Sequence, residues 1–409
     1  MSIYKMTPVG KWDNSIPDYN AFYKPVGLNI AYGKGITLHK EKIATRYPPG
    51  FPLIISASFI LERCTHIPFG KVLQFIVLLG MSIGAVLIFK IGSLFLSNKL
   101  SLIASILWII YPLNLWLVNR PLSESVFIPF LFLGVYIYLK LFLKKKYTAL
   151  DIIKGLLAGI IIGISSLIRP ISIFFGLLLV LLLLAKGWFW PNKGRRTYAL
   201  VLSGMLLVGN LVSILPWELY VFSKRGEIIM LSEGGFYSVR DGITAYSDCK
   251  QYRKDLKMPL PAYKVTRDVC ILQKSGKLNS FDDMVKFLKE ALKNNTSGVI
   301  ELIGIKAARA WFGTDSQSPK KEIFILLIQI PFLIFSIFGT AIMWLRKGIY
   351  KEFILIVWSI VFYTWGMTIL VLSIVRYMVP AMGLLFIPMT VGIYAFWKHY
   401  ICGHLKILH

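Results

Sequence analysis

Three arginines of the sequence occupy very short turns between long apolar stretches, where a charged side chain is costly: Arg120, Arg169 and Arg376. Glu124 follows the first of them by about one helical turn. Ionisable groups at membrane depth are candidate functional residues, unless each one simply extends to the lipid headgroups. One guanidinium group can donate hydrogen bonds to two phosphate oxygens at once. Three arginines on one face beside a carboxylate therefore predict a site for an anion.

Membrane helices are the elements that must position these residues. The 409 residues are 56% hydrophobic and 16% charged, whereas soluble chains carry about 25% charged residues. A span needs about 20 mainly apolar residues. Such stretches lie at 71–96, 101–118, 122–143, 153–169, 170–186, 198–217, 322–345, 352–374 and 377–397. The sequence therefore predicts an all-α polytopic membrane protein with about nine or ten membrane helices. The shorter apolar stretch at 51–62 predicts an interfacial or re-entrant helix.

Basic residues outnumber acidic ones by 46 to 20, and they cluster between the apolar stretches rather than along one face. The clusters lie at 140–146, 193–196, 346–351 and 398–406. Counting the spans in order puts all four on one side, as the positive-inside rule requires of cytoplasmic loops. This pattern argues against nucleic-acid binding. It predicts a multi-pass protein of the cell (inner or plasma) membrane, with the three arginine turns on the extracytoplasmic face.

The same count divides the chain into five segments. They are an extracytoplasmic first loop with a short interfacial helix (1–70), a helical bundle (71–217), an extracytoplasmic loop domain (218–320), C-terminal membrane helices (321–398) and a cytoplasmic tail (399–409). An amphipathic run near 281–293 predicts a helix in the loop domain. Because residues 1–50 would lie outside, we expect either a span before the first residue given or a stretch 51–62 that does cross.

The four cysteines form no CxxC pair, which argues against a structural metal site. Cys249 and Cys270 both lie in the predicted loop domain. They either form a disulfide, if this domain faces an oxidising compartment, or remain two free thiols.

Six segments in chain order resemble the C-type glycosyltransferase superfamily, within it the dolichyl-phosphate-mannose protein mannosyltransferase-like branch that includes the aminoarabinose transferase of lipid A. The first loop contributes Asp18-Tyr19-Asn20-Ala21-Phe22-Tyr23 with Leu28-Asn29-Ile30 and Gly33-Lys34-Gly35, and then Arg46-Tyr47-Pro48-Pro49-Gly50-Phe51-Pro52-Leu53. The later segments are Asn119-Arg120-Pro121-Leu122-Ser123-Glu124, Gly155 to Arg169-Pro170, Pro216-Trp217 with Gly234-Gly235, and Arg376-Tyr377-Met378-Val379-Pro380. Together they cover most of the chain.

The resemblance implies transfer of a sugar from a polyprenyl-phosphate carrier to an extracytoplasmic acceptor on a lipid, glycan or protein. A hydroxyl that attacks an anomeric carbon must release its proton, so a nearby carboxylate serves as general base. Asp18 is the predicted base, because it stands just before Tyr23, Asn29 and Gly33-Lys34-Gly35, and Asp13 is the reserve. The family's first-loop acid stands four residues before the tyrosine, whereas Asp18 stands five before Tyr23. The alternative for both is an ordinary solvated loop acid.

The leaving group would be a lipid phosphate, whose developing charge arginines stabilise. The substrate-binding residues that the resemblance suggests are Tyr23, Arg46, Arg120, Glu124, Arg169, Arg376 and Tyr377. Glu124 has several open roles: it orients an arginine, touches the sugar, holds a divalent cation of the kind some members use, or forms a structural salt bridge with Arg120.

Two other classes of function stay open. A transporter or flippase of lipid-linked sugars would also bury ionisable groups in a helical bundle. It would be expected to show internal repeats or broken helices, and neither is clear in the sequence. A catalytically inactive homologue that acts as an assembly subunit is the other alternative.

Overall fold

The computed structural model describes residues 12–13, 15–38, 42–144, 148–188, 193–244, 259–346 and 348–400. These residues form helices, with one isolated bridge between Thr37 and Ile43 and no strand. The chain divides into two compact units. The first comprises Met1–Ser232, Phe332–Ile360 and Val379–His409, and the second comprises Glu233–Pro331 and Val361–Met378.

The helices are numbered in chain order. They are α1 (Lys24–Ala31), α2 (Gly50–Thr65), α3 (Phe69–Gly92), α4 (Asn98–Ile110), α5 (Pro112–Val118), α6 (Ser123–Phe142), α7 (Ala149–Ile168), α8 (Phe175–Trp188), α9 (Lys193–Arg225), α10 (Gly234–Thr244), α11 (Leu260–Lys274), α12 (Phe281–Asn294), α13 (Thr296–Arg309), α14 (Pro319–Leu345), α15 (Ile349–Leu370) and α16 (Val375–Tyr400). A π-helical turn at Tyr19–Tyr23 leads into α1, and a 3-10 turn at Pro170–Ser172 leads towards α8.

Eight helices in the described part of the chain are long and apolar enough to cross a membrane, or nine spans if the bent pair of α4 and α5 counts as one. Each overlaps one of the nine stretches predicted from the sequence, so the prediction of an all-α polytopic membrane protein is confirmed. The helix α2 has 16 residues, which at 1.5 Å per residue gives about 24 Å, shorter than a bilayer core. That length agrees with the predicted short helix.

The stretch predicted as one span at 101–118 is broken, and this corrects the sequence prediction. The helices α4 and α5 meet at an angle of 58°. Pro112 has no backbone N–H and its ring crowds the preceding turn, which weakens the helix at this point; here the helix ends before it. The buried Asn114 side-chain amide donates at 2.6 Å to the Trp108 carbonyl, which also accepts from the Tyr111 N–H at 3.3 Å. The amide takes the place of the backbone N–H that Pro112 lacks.

Close helix packing fixes the position of α7 in the first unit. A Cβ atom at Gly159 would collide with the backbone carbonyl of Leu206 on α9, so only glycine allows this approach. Small residues let membrane helices pack at such short backbone distances. The end of α7, and with it Arg169, is therefore held by packing along the whole helix.

The second unit contains short helices around an apolar core that includes Val265, Phe287 and Leu302. The amphipathic helix predicted near 281–293 is confirmed as α12. It begins at a capping box, in which the Ser280 hydroxyl accepts from the Asp283 backbone N–H at 3.2 Å and the Asp283 carboxylate accepts from the Ser280 N–H at 3.0 Å.

Candidate active site

The first loop carries two acids, and the first of them, Asp13, is fully engaged. Its carboxylate lies 2.7 Å from the Arg120 guanidinium. The other oxygen accepts from the Ser15 N–H at 3.0 Å and from the Ser15 hydroxyl at 2.6 Å. The hydrogen bond from the Ser15 hydroxyl lowers the pKa of Asp13, and Arg120 acts in the same direction. Asp13 is therefore a poor proton acceptor.

Asp18 differs from Asp13 in its surroundings. It is half-buried and directly precedes the π-helical turn at Tyr19–Tyr23. Among the residues that the structure describes, its carboxylate has no hydrogen-bond or ion-pair partner. Asp18 is thus the first-loop acid whose oxygens remain available to a ligand.

Tyr23 connects this acid to the membrane helices. Burial raises the pKa of the Tyr23 hydroxyl well above its ordinary value, and Tyr47 adds to the rise. The charges of Arg169, Asp18 and Glu124 also act on this hydroxyl, the acids raising its pKa and the arginine lowering it. Coulomb interactions decline with distance and are screened by water. The tyrosine, the arginine and both carboxylates therefore share one neighbourhood.

Glu124 and Arg169 form a buried ion pair at this place. The Arg169 Nη1 lies 2.5 Å from Glu124 Oε1, and the side chains are 12% and 2% exposed. The same guanidinium nitrogen donates to the Ser123 hydroxyl at 3.3 Å. Glu124 stands in the first turn of α6, where the helix dipole favours an anion. The sequence offered Arg120 as a salt-bridge partner of Glu124; the structure pairs Glu124 with Arg169 and Arg120 with Asp13.

The Pro48-Pro49-Gly50 turn packs directly on the end of α7. A Cβ atom at Gly50 would lie 2.6 Å from the Leu167 carbonyl oxygen and 2.9 Å from Ile168 Cγ1. These two residues immediately precede Arg169. The turn therefore needs glycine at position 50 to pack this closely on α7. This packing helps to fix the position of Arg169 at the end of α7.

Aromatic rings line the first-loop side of the site. Tyr23 stacks on Tyr47 with ring centroids 4.9 Å apart and meets Phe51 edge-on at 5.1 Å. The exposed Arg46 guanidinium lies 5.6 Å from the Tyr47 ring centroid. Aromatic faces beside carboxylates can contact the apolar faces of a sugar ring while acids bind its hydroxyls.

Arg376 and Tyr377 lie in the second unit, at the start of α16. The Val375 N–H donates to the Gly313 carbonyl at 2.9 Å, which fixes this helix start. The Arg376 guanidinium lies 3.5 Å from the Asp315 carboxylate and 5.3 Å from the Tyr377 ring centroid. Arg376 is 15% exposed.

Sequence reasoning missed four residues that make polar contacts of this kind. Ser123 contacts Arg169, Asp315 contacts Arg376, and a bidentate pair joins Arg309 to Glu322 at 2.9 and 2.7 Å. Ser123 stands beside Glu124 in a segment that was already singled out, so adjacency was a usable signal. The two acids of the second unit stand in segments without a distinctive pattern, and only folding brings them to their arginines.

Glu124 was the candidate ligand for a divalent cation. Among the described residues no three His, Cys, Asp or Glu side chains converge on one point. The charge of Glu124 is matched by Arg169. The donor set described therefore does not fit a cation held by protein ligands alone.

The structure shows the bonding state of two of the four cysteines. Cys64 is free and exposed, and Cys270 is disulfide-bonded. Cys249, which the sequence left either bonded to Cys270 or free, lies outside the described residues.

Solved structures share this fold at low sequence identity. Archaeal oligosaccharyltransferase AglB from Archaeoglobus fulgidus, in complex with an inhibitory peptide and a dolichol-phosphate, superposes with a TM-score of 0.59 at 12% identity, over 97% of this chain and 49% of that chain. The oligosaccharyltransferase from Archaeoglobus fulgidus in complex with Zn and sulfate gives a TM-score of 0.55 at 11% identity, over 97% of this chain and 48% of that one. Its apo form gives 0.52 at 11% identity, over 98% and 50%.

The chain thus spans about half the length of these structures. No protein-family model and no curated protein matches it. The likeness shows that this chain shares the fold of these oligosaccharyltransferase structures. Membership of the C-type glycosyltransferase superfamily remains a prediction, and so does the mannosyltransferase-like branch.

Proposed function

We propose that this protein is a membrane glycosyltransferase that transfers a sugar from a polyprenyl-phosphate donor to an extracytoplasmic acceptor. One observation carries the proposal: a carboxylate without a partner, Asp18, shares one neighbourhood with Tyr23 and the buried Glu124–Arg169 pair. A base beside a guanidinium is the combination that this reaction requires.

The fold supports the proposal. One structure with this fold contains a dolichol-phosphate and an inhibitory peptide, and such a pair corresponds to a lipid-phosphate donor and an acceptor. By the positive-inside rule, the basic clusters of the sequence support an extracytoplasmic position for the candidate site. The acceptor is a lipid, glycan or protein presented on that face.

In the proposed reaction the acceptor hydroxyl gives its proton to Asp18 as its oxygen bonds to the anomeric carbon. The bond from that carbon to the phosphate oxygen breaks, and its electron pair stays on the phosphate. Arg169 stabilises that charge. Arg46, Arg120 and Arg376 are the further phosphate-binding residues that the resemblance suggests. Because the described residues do not fit a protein-held cation, no step is assigned to one.

Tyr23 and Tyr377 have supporting roles in this scheme. The raised pKa keeps the Tyr23 hydroxyl protonated at neutral pH, so it can donate a hydrogen bond to a sugar or phosphate oxygen. Glu124 orients Arg169. Tyr377 lies against Arg376 and restricts its position.

The test is a pair of first-loop substitutions in a membrane assay with a lipid-linked sugar. Asp18→Asn keeps the shape but cannot accept the proton, and loss of a general base typically lowers the rate about 10²–10⁴-fold. Its stability should change by only about 0.5 kcal/mol. Asp13→Asn is the matched control and should retain most of the activity, since Asp13 is already held by Ser15 and Arg120.

The reverse result, an inactive Asp13→Asn and a normal Asp18→Asn, would overturn the assignment of the base. Two normal variants would remove both acids from the role of base, whereas a wild-type protein without transfer activity would favour an inactive homologue that acts as an assembly subunit.

A transporter of lipid-linked sugars is the second candidate, because the broken span at Tyr111-Pro112 is a feature of many transporters. Here Asn114 satisfies a carbonyl at the break, as expected of a structural kink. Translocation of a fluorescent lipid-linked sugar in vesicles, without its consumption, would favour the transporter.

A further inference from the structure

The helix pair α6–α7 has a second charged site at the end opposite Glu124 and Arg169. A cavity of about 430 Å³ lies between the last turns of α6 and the first turns of α7. Its lining residues are Tyr136, Ile137, Lys140, Leu141, Lys144, Asp151, Lys154 and Leu157. Its size is within the range of sites for small ligands, about 300–1,000 Å³.

The cavity has an excess of positive charge. Asp151 is 1% exposed, and its carboxylate accepts from Lys144 at 2.6 and 2.8 Å. It also accepts from the Thr148 N–H at 2.7 Å and from the Thr148 hydroxyl at 2.9 Å. One lysine therefore balances the acid. Lys154, whose ammonium lies 3.6 Å from Asp151 and whose side chain is 44% exposed, and Lys140 supply two further charges.

The rest of the lining is apolar and continues onto the outer surface of α7. Leu157 belongs to the cavity and is half-exposed, as are Leu150 and Ile153 on the same helix. Tyr136 lies under the Lys140 ammonium, 4.8 Å from ring centroid to nitrogen. A charged head beside a lipid-facing apolar wall is complementary to one kind of molecule, an amphiphile with an anionic headgroup.

We propose that this cavity binds an anionic phospholipid of the surrounding leaflet, with its phosphodiester between Lys140 and Lys154 and its acyl chains along α7. The α6 helix has 20 residues, which correspond to about 30 Å. The site is therefore separate from the candidate active site. A bound lipid would hold the two helices together at their other end.

The experiment is a thermal-shift titration of the detergent-solubilised full chain with phosphatidylglycerol and, separately, with phosphatidylcholine. We expect wild-type protein to be stabilised by phosphatidylglycerol at far lower concentration than by phosphatidylcholine. The variant Lys140→Gln/Lys154→Gln should bind phosphatidylglycerol about 30-fold more weakly, from about 1 kcal/mol for each lysine. Lys140→Arg/Lys154→Arg should restore binding, because it restores both charges.

The matched control is Lys90→Gln/Lys99→Gln. It removes the same charge from two exposed lysines at the end of α3 and the start of α4. Consecutive spans alternate in direction, so these lysines belong to the same side of the membrane as Lys140. An equal loss in the control, or equal stabilisation of wild type by both lipids, would overturn the proposal. Inorganic phosphate is the third arm, and a shift as large as that with phosphatidylglycerol would reveal a free-anion site instead.

Discussion

The two ends of the α6–α7 pair each bury one carboxylate against a cation, but they do so in different ways. At one end Asp151 is neutralised by Lys144 and accepts hydrogen bonds from Thr148, both near neighbours in sequence, as part of the cap of its own helix. At the other end Glu124 is paired with Arg169, which arrives from the far end of a different helix. The first arrangement is local and the second depends on the fold.

This difference separates a structural acid from a candidate functional one. A helix start leaves backbone N–H groups without partners, so a capping acid has a sufficient structural reason. A long-range buried pair gains little net stability, because desolvation offsets most of its attraction. The Glu124–Arg169 pair also adjoins Tyr23 and the unpaired Asp18, whereas no comparable unpaired acid lines the cavity at Asp151.

The largest effect is expected at the functional end. Arg169→Gln should lower transfer from a lipid-linked sugar about 10²–10³-fold, as loss of a charge-stabilising donor does. It should also destabilise the fold by about 3–5 kcal/mol, because Glu124 stays buried without its cation. Initial rates and unfolding midpoints in detergent measure the two effects.

The double variant Glu124→Gln/Arg169→Gln separates the effect on activity from the effect on stability. Removing both charges should recover much of the stability while activity stays low. A double variant with wild-type activity would make this pair structural, like the one at Asp151, and the distinction between the two ends would be lost.

A smaller effect is expected from the turn that supports Arg169. Gly50→Ala puts a Cβ atom 2.6 Å from the Leu167 carbonyl oxygen, and such overpacking costs about 1–3 kcal/mol. Because the displaced residues precede Arg169, activity should fall together with the unfolding midpoint. The control is Gly70→Ala in α3, where nothing lies within 4 Å of the new atom. Equal results for both glycines would show that the turn does not position Arg169.

At the lysine-rich end, Asp151→Asn should affect stability alone. Loss of a capping interaction costs about 0.5–2 kcal/mol, and Lys144, 38% exposed, can turn to water. The activity per folded molecule should equal that of wild type. The measurement divides the transfer rate by the amount of folded protein, which is determined independently of activity. A fall in specific activity comparable to that of Arg169→Gln would contradict the purely structural role.

The helices could be predicted from the sequence because hydropathy is a local property. The break at Pro112 could not be predicted from the proline alone, since Pro129 and Pro216 lie inside helices that continue through them. The sequence singled out Asp18, Tyr23, Glu124 and Arg169, and these four residues lie close enough to interact electrostatically; their role as an active site stays a prediction. The pairing of each acid with its arginine could not be predicted, because Arg169 reaches Glu124 only through the packing of α7.

The smallest effect is expected at the exposed Asp13–Arg120 pair, which joins the first loop to the residues before α6. Its side chains are 29% and 24% exposed, so its contribution should be about 1 kcal/mol or less. Because folding lowers the pKa of Asp13, this stability is present above the unfolded-state pKa of about 3.9 and is lost as the pH falls through the lower, folded value. Asp13→Asn should therefore reduce the unfolding midpoint slightly at pH 7, and the difference from wild type should shrink as the pH falls below about 4. If the difference is independent of pH, the charge of Asp13 contributes nothing, and its hydrogen bonds with Ser15 alone hold the loop. Should the variant also lose transfer activity, the division of labour between Asp13 and Asp18 would have to be reversed.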